Sequence, residues 1–135
     1  MRLPLLAMPA YAVAALAVSA CGGDALADDA TVSIHYSRFS PGTITVAAGE
    51  PFAVTIQNED PIEHEWIVGT EEVHERHRTG TEPFHAEIPT EVTIPAFSTR
   101  VTRLTFTEPG DYQFICHLPG HEEYGMVGTL RVVEN

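Results

Sequence analysis

The stretch GDYQFICHLPGHEEYGMVGTLRVV, residues 110–133, decides most of what this chain can be. Side chains alternate across a strand, so Tyr112, Phe114 and Cys116 share one face and the Cys116 thiol ends an inward-pointing row. Pro119 and Gly120 then reverse the chain, which brings His121 back beside the sulfur. The next loop returns Met126 at the start of a final strand. The spacing is Cys-x4-His-x4-Met, closed between two strands. A fourth candidate, His64, lies far upstream on the loop before Trp66.

Outward from this segment the same period of two recurs, punctuated by Pro and Gly. Residues 31–36 alternate, with Val32, Ile34 and Tyr36 on one face and His35 pointing away from the core. Ile44 and Val46 follow the Ser40-Pro41-Gly42 turn; Phe52, Val54 and Ile56 follow Gly49-Glu50-Pro51; Trp66, Ile67 and Val68 follow an acidic loop. Further strands are expected over residues 91–94, 100–107, 111–116 and 126–133. Residues 69–89 break the rhythm, with His74, His77 and His85 among many acids, and read as a surface excursion with one or two helical turns over 71–78. About eight short strands without long helical patterns between them predict an all-β Greek-key β-sandwich of antiparallel sheets.

The chain of 135 residues has room for one domain, and 44% hydrophobic against 19% charged residues is a globular balance. Its formal charge of -12 arises from 19 acids against 7 basic residues, all arginine. Such a surface repels nucleic acid and anionic lipid, so no nucleic-acid partner is expected and a charged protein partner should be basic where it docks. Residues 1–20 read as an export signal, a lone Arg2 before an apolar run too short and Pro-interrupted for a membrane span. Val18-Ser19-Ala20-Cys21 resembles a lipobox, making Cys21 the lipidated first residue, residues 21–30 a tether and residues 31–135 the folded domain. Ala25-Leu26-Ala27 is a rival cleavage site that would discard Cys21 and release a soluble protein. Both routes place the protein outside the cytoplasm, in the periplasm or on the outer face of the membrane, where an unpaired Cys116 needs a reason. A Cys21–Cys116 disulfide is the competing use for it.

A thiolate, two imidazoles and a thioether are the donor set of a blue-copper site: thiolate favours Cu(I), imidazole serves both oxidation states, and zinc prefers stronger donors than Met. At these residues the chain resembles the cupredoxin family, nearest the auracyanin, rusticyanin and sulfocyanin type with four residues in each loop gap. The resemblance spans roughly residues 31–134, from FSPGTITVAAGEPFAVTIQNEDPIEHEW (39–66) through GDYQFIC (110–116) to GMVGTLRV (125–132). It implies one type 1 copper ion with His64, Cys116 and His121 as equatorial ligands and Met126 axial, cycling single electrons between larger redox partners. Two departures bear on the hydrogen bonds to the thiolate: Glu65 stands where azurin-like members often carry Asn, and His117 where a hydroxyl residue often follows the Cys.

Other readings stay beside this one. His117 faces opposite to Cys116 and is either a rim residue or a ligand to a further copper. His74 and His77, three apart on one helical face, and His85 are either solvated loop residues, an adventitious metal site or a copper-capture site. Glu122 and Glu123 beside His121 read as a solvated rim that can select a partner. Copper delivery by the same site plus the His-rich loop is the alternative to electron carriage. An enzyme is not expected, because one domain with so few histidines cannot assemble further copper centres by itself.

Overall fold

The structure, a computed structural model, describes residues 26–135. The signal at 1–20, the lipobox and Cys21 therefore lie outside the described residues. In chain order the elements are β1 Asp29–Ile34, β2 Phe39–Ser40, β3 Thr43–Ala47, β4 Phe52–Asn58, β5 His64–Gly69, α1 Glu71–Thr79, β6 Glu91–Ile94, β7 Thr99–Leu104, β8 Gly110–Ile115, α2 His121–Tyr124 and β9 Val127–Val133. One sheet has the order β2-β1-β4-β7 and the other β3-β9-β8-β5-β6. The inward rows of the two sheets, among them Val32, Ile34, Val54, Ile56, Trp66, Phe114 and Leu130, meet in a single core.

The sandwich agrees with the alternation in the sequence, but the expectation of purely antiparallel sheets does not hold. β1 pairs with β4 in parallel, from Asp29↔Ala53 to Ile34↔Asn58, and β3 pairs with β9 in parallel. The chain crosses from one sheet to the other between these strands, and side-chain alternation carries no information about the direction of a neighbouring strand. Tyr36 also departs from its expected place in the core. The first strand stops at Ile34, Tyr36 and Ser37 adopt φ values of 52° and 53°, and the Tyr36 ring is 74% exposed. Two successive left-handed residues end the alternation and turn their N–H groups toward one acceptor, the Asp60 carboxylate.

Packing near the last two strands depends on one glycine. Gly128 faces Phe114 across the β8–β9 ladder, and a Cβ placed there would come within 2.1 Å of the Phe114 ring. The missing side chain lets that ring lie between Trp66, at 5.8 Å, and Phe39, at 5.1 Å. The ring stands one residue pair from Cys116 along the same strand face.

The excursion expected between the middle strands is present, and its helical part is nine residues long. Glu71 and Glu72 in its first turn and Arg76, His77 and Arg78 in its last complement the helix dipole. α1 packs on β5 and β8 on the face away from the core, where it covers the cross-strand pair Ile67 and Ile115. No helix among the described residues is long and apolar enough to cross a membrane.

Candidate metal centre

The ladder of β5, β8 and β9 brings the four sequence candidates to one end of the sandwich. His64 is the first residue of β5 rather than part of a preceding loop, and it is fully buried. Cys116 follows the end of β8 and Met126 precedes β9; both are fully buried. The Cys116 N–H donates to Met126 O at 3.2 Å, and the Met126 N–H donates to His121 O at 2.9 Å. Between them, Leu118 to His121 form a turn closed by His121 N–H to Leu118 O at 3.0 Å. Gly120 takes φ 82° in that turn, as a Pro-Gly pair in type II geometry requires. Backbone alone thus fixes where the Cys, His and Met stand relative to one another.

The donor atoms converge. His121 Nδ1 lies 3.3 Å from Cys116 Sγ and 3.3 Å from His64 Nδ1, and the three atoms are mutually within 4.8 Å. His64 Nε2 lies 2.9 Å from Asp60 Oδ2; since a carboxylate accepts, Nε2 carries the proton and Nδ1 is left as a lone pair aimed at the other donors. Burial pushes the His64 ring below its ordinary range, which keeps that lone pair available. Burial likewise pushes the Cys116 thiol up, opposed by backbone N–H groups of Glu65 and Leu118. The Glu65 N–H reaches Sγ at 3.3 Å, so the residue that departs from the Asn pattern still supplies a hydrogen bond to sulfur through its main chain. A buried thiol, two imidazole nitrogens with a fixed tautomer on one of them, and a buried methionine whose backbone bonds to both Cys116 and His121 fit a single type 1 copper ion.

Asp60 and Asn58 organise the upstream side, and the sequence reading missed both. Asp60 accepts Tyr36 N–H and Ser37 N–H, each at 2.7 Å, besides His64. Burial acts to raise its pKa, but the Ser37 and Tyr36 N–H groups and His64 prevail and hold it below the usual range. Asn58 donates to the carbonyls of Ile62, Ile94 and Pro95 and accepts the Asp60 N–H at 3.0 Å. The available signal was Asn58-Glu59-Asp60 lying just before His64, a pair of short polar residues where the chain leaves a buried strand.

The other histidines divide. His74, for which the sequence leaves a solvated loop position as one of three readings beside an adventitious metal site and a copper-capture site, is fully buried. Its Nε2 donates to Gln113 O at 3.1 Å, so its Nδ1 accepts from His117 Nε2 at 2.9 Å. His117 faces away from Cys116 as expected, but under α1, where burial and the His74 ring push its pKa down to about 4. The Nε2 of His117 is committed to His74, which ties α1 to the end of β8. Glu122 is not a free rim acid either: Arg78 grips both of its oxygens, at 2.7–3.1 Å. Among the described residues Cys116 has no disulfide partner, and the expected alternative pairing with Cys21 lies outside them.

A β-sandwich that gathers a buried Cys, two His and a Met at one end defines a small copper-binding protein of cupredoxin type. The profile of the cupredoxin-like domain matches residues 8–132, and the chain belongs to that family. Among curated relatives, the copper-resistant cuproprotein CopI of Rubrivivax gelatinosus is 37% identical over 82% of this chain and 70% of its own length. CopI of Pseudomonas aeruginosa is 26% identical over 70% of each chain. Among solved structures, auracyanin from Roseiflexus castenholzii superposes with a TM-score of 0.69 at 19% identity, covering 81% of this chain and 99% of that one. Copper is the cofactor that the family and the donor set have in common.

Proposed function

We propose that this protein is an exported one-electron carrier in which His64, Cys116 and His121 would hold one copper ion, with Met126 as a weaker fourth donor. Bound there, copper supplies a Cu(I)/Cu(II) couple that both oxidation states can share on the same donors. The observation that carries the reading is the combination of a pinned site with one open edge. His64, Cys116 and Met126 are fully buried, while His121 is half-buried and reaches a surface depression lined by Tyr36, Ser37, Pro119, Gly120 and Tyr124. Ligands held by Asp60, Glu65 N–H and the 118–121 turn do not rearrange as charge arrives, which keeps the barrier to transfer low. Electrons then enter and leave through the His121 ring. Cys116→Ser should abolish the intense visible band and leave a folded sandwich, and Met126→Leu should keep copper and raise the potential measured by voltammetry, because losing a weak donor destabilises Cu(II) more than Cu(I). A coloured Cys116→Ser protein, or an unchanged or lowered potential in Met126→Leu, overturns the ligand set.

A second reading, copper tolerance through capture or delivery, is favoured by the 37% identity to a copper-resistant cuproprotein. The two differ in retention. A carrier keeps its reduced copper against a Cu(I) chelator over many turnovers; a delivery protein yields it within one. Export rests on residues 1–20, and the Ala27 N–H, bonded to Thr45 O at 2.9 Å, favours maturation at Cys21 over cleavage after Ala27, which would remove that contact. The mass of the mature chain distinguishes the two.

A further inference from the structure

Away from the buried centre, the outer face of the second sheet carries two more imidazoles that point at carboxylates. His77, on α1, places Nε2 3.4 Å from Glu91 Oε2. His85, on the segment between α1 and β6, places Nε2 3.0 Å from the same oxygen and 3.6 Å from Glu82 Oε1. The donor atoms of Glu82, His85 and Glu91 are mutually within 4.8 Å. Side chains of His77, Glu91 and Glu82 are 14%, 13% and 19% exposed and that of His85 33%, so the carboxylates are partly withdrawn from water while His85 leaves the cluster open to solvent.

The tautomers make the cluster informative. His77 Nδ1 lies 2.9 Å from Val73 O, and His85 Nδ1 lies 2.8 Å from Ala86 O. A carbonyl only accepts, so both Nδ1 atoms carry the proton, and in the neutral rings both Nε2 atoms present lone pairs to carboxylate oxygens. Lone pairs facing lone pairs repel. The arrangement is held either by a proton on each ring or by a divalent cation among His85 and the carboxylates, and the second uses the pattern of metal-binding histidines, in which the far ring nitrogen donates to a carbonyl. Arg76 holds Glu82 Oε2 at 2.6 Å and leaves Oε1 turned to the site.

We propose that His85, Glu91 and Glu82 Oε1 form a second copper site of non-blue type that takes Cu(II), with His77, whose Nε2 stands 3.4 Å from Glu91 Oε2, as a further donor at its margin. Imidazole nitrogen and carboxylate oxygens suit the tetragonal geometry of Cu(II), which also stands highest in the affinity order for such donors. No thiolate is present, so this ion has no intense visible band. Glu65 and Glu91 line one depression with His85, and the Glu65 N–H holds Cys116 Sγ, so the site adjoins the buried centre across β5. It shares no donor with that centre.

The test is a Cu(II) titration of the mature protein whose blue centre is already filled, followed by paramagnetic resonance. The expected result is a second equivalent of copper with an ordinary non-blue signal split by nitrogen, the blue band staying constant. His77→Ala with His85→Ala should lose that equivalent and keep the blue band, which also reports that the sandwich is folded; Glu91→Gln should weaken it. Absence of a second equivalent in the parent shows that protons alone hold the cluster and overturns the proposal. So does a second equivalent that survives in the double variant, because His35 or another exposed histidine then binds it.

Discussion

Asp60 does more for the metal centre than its distance from copper chemistry in the sequence would indicate. Its two oxygens gather two left-handed backbone N–H groups and the Nε2–H of His64, and so one buried carboxylate fixes both a strand end and a candidate ligand's tautomer. An amide cannot accept from all three, since its nitrogen would face a donor. Asp60→Asn should therefore lower copper affinity by about 10- to 100-fold, as losses of such outer partners generally do, and lower the stability of the copper-free protein as well. Competition with a calibrated Cu(I) chelator measures the first effect. An affinity equal to the parent's would mean that His64 is oriented by packing alone.

At the scale of elements, the pairing of β8 with β9 both builds the core and sets the loop that carries three candidate ligands. Its tightest point is Gly128 against Phe114, where a methyl group has no space unless the ring moves. Phe114 is held by Trp66 and Phe39 on its other sides, so the ring cannot yield cheaply. Gly128→Ala should cost about 1–3 kcal/mol by overpacking. Thermal unfolding of the copper-free chain should then shift down by roughly 4 °C or more for each kcal/mol lost. A melting temperature equal to the parent's would show that the strands separate to accommodate the methyl. α1 is bound to the same ladder from outside through His74 and His117, so this helix belongs to the folded unit and not to a loose excursion.

For the whole molecule, the formal charge of -12 sets the field in which a partner approaches the His121 edge. Glu122 is already neutralised by Arg78, whereas Glu123 is exposed beside the edge. Electron exchange with a cationic one-electron reagent should slow as salt rises from about 0.01 M to 0.15 M, where the screening length falls from about 30 Å to about 8 Å. Exchange with an anionic reagent should quicken over the same range. Glu123→Gln should flatten the first dependence and leave the visible spectrum intact. Equal slopes for both reagents, read by stopped-flow absorbance, would place the entry point away from this acidic surface.

The sequence by itself determined the sandwich and its four candidate ligands, because both are written locally. A period of two marks strands wherever one face is buried, and Cys, Pro-Gly, His and Met at fixed short spacings close a loop whose geometry the backbone dictates. His64 could be singled out only as a His before an aromatic, and Asp60, which orients it, not at all, since their pairing depends on Tyr36 and Ser37 turning left-handed at a strand end. Strand direction, the parallel β1–β4 and β3–β9 pairs, the burial of His74 and the capture of Glu122 by Arg78 likewise escaped it. Each of these joins residues distant in sequence across different elements. Only the tertiary structure decides such contacts, because alternation records which face a side chain takes and never what it will meet there.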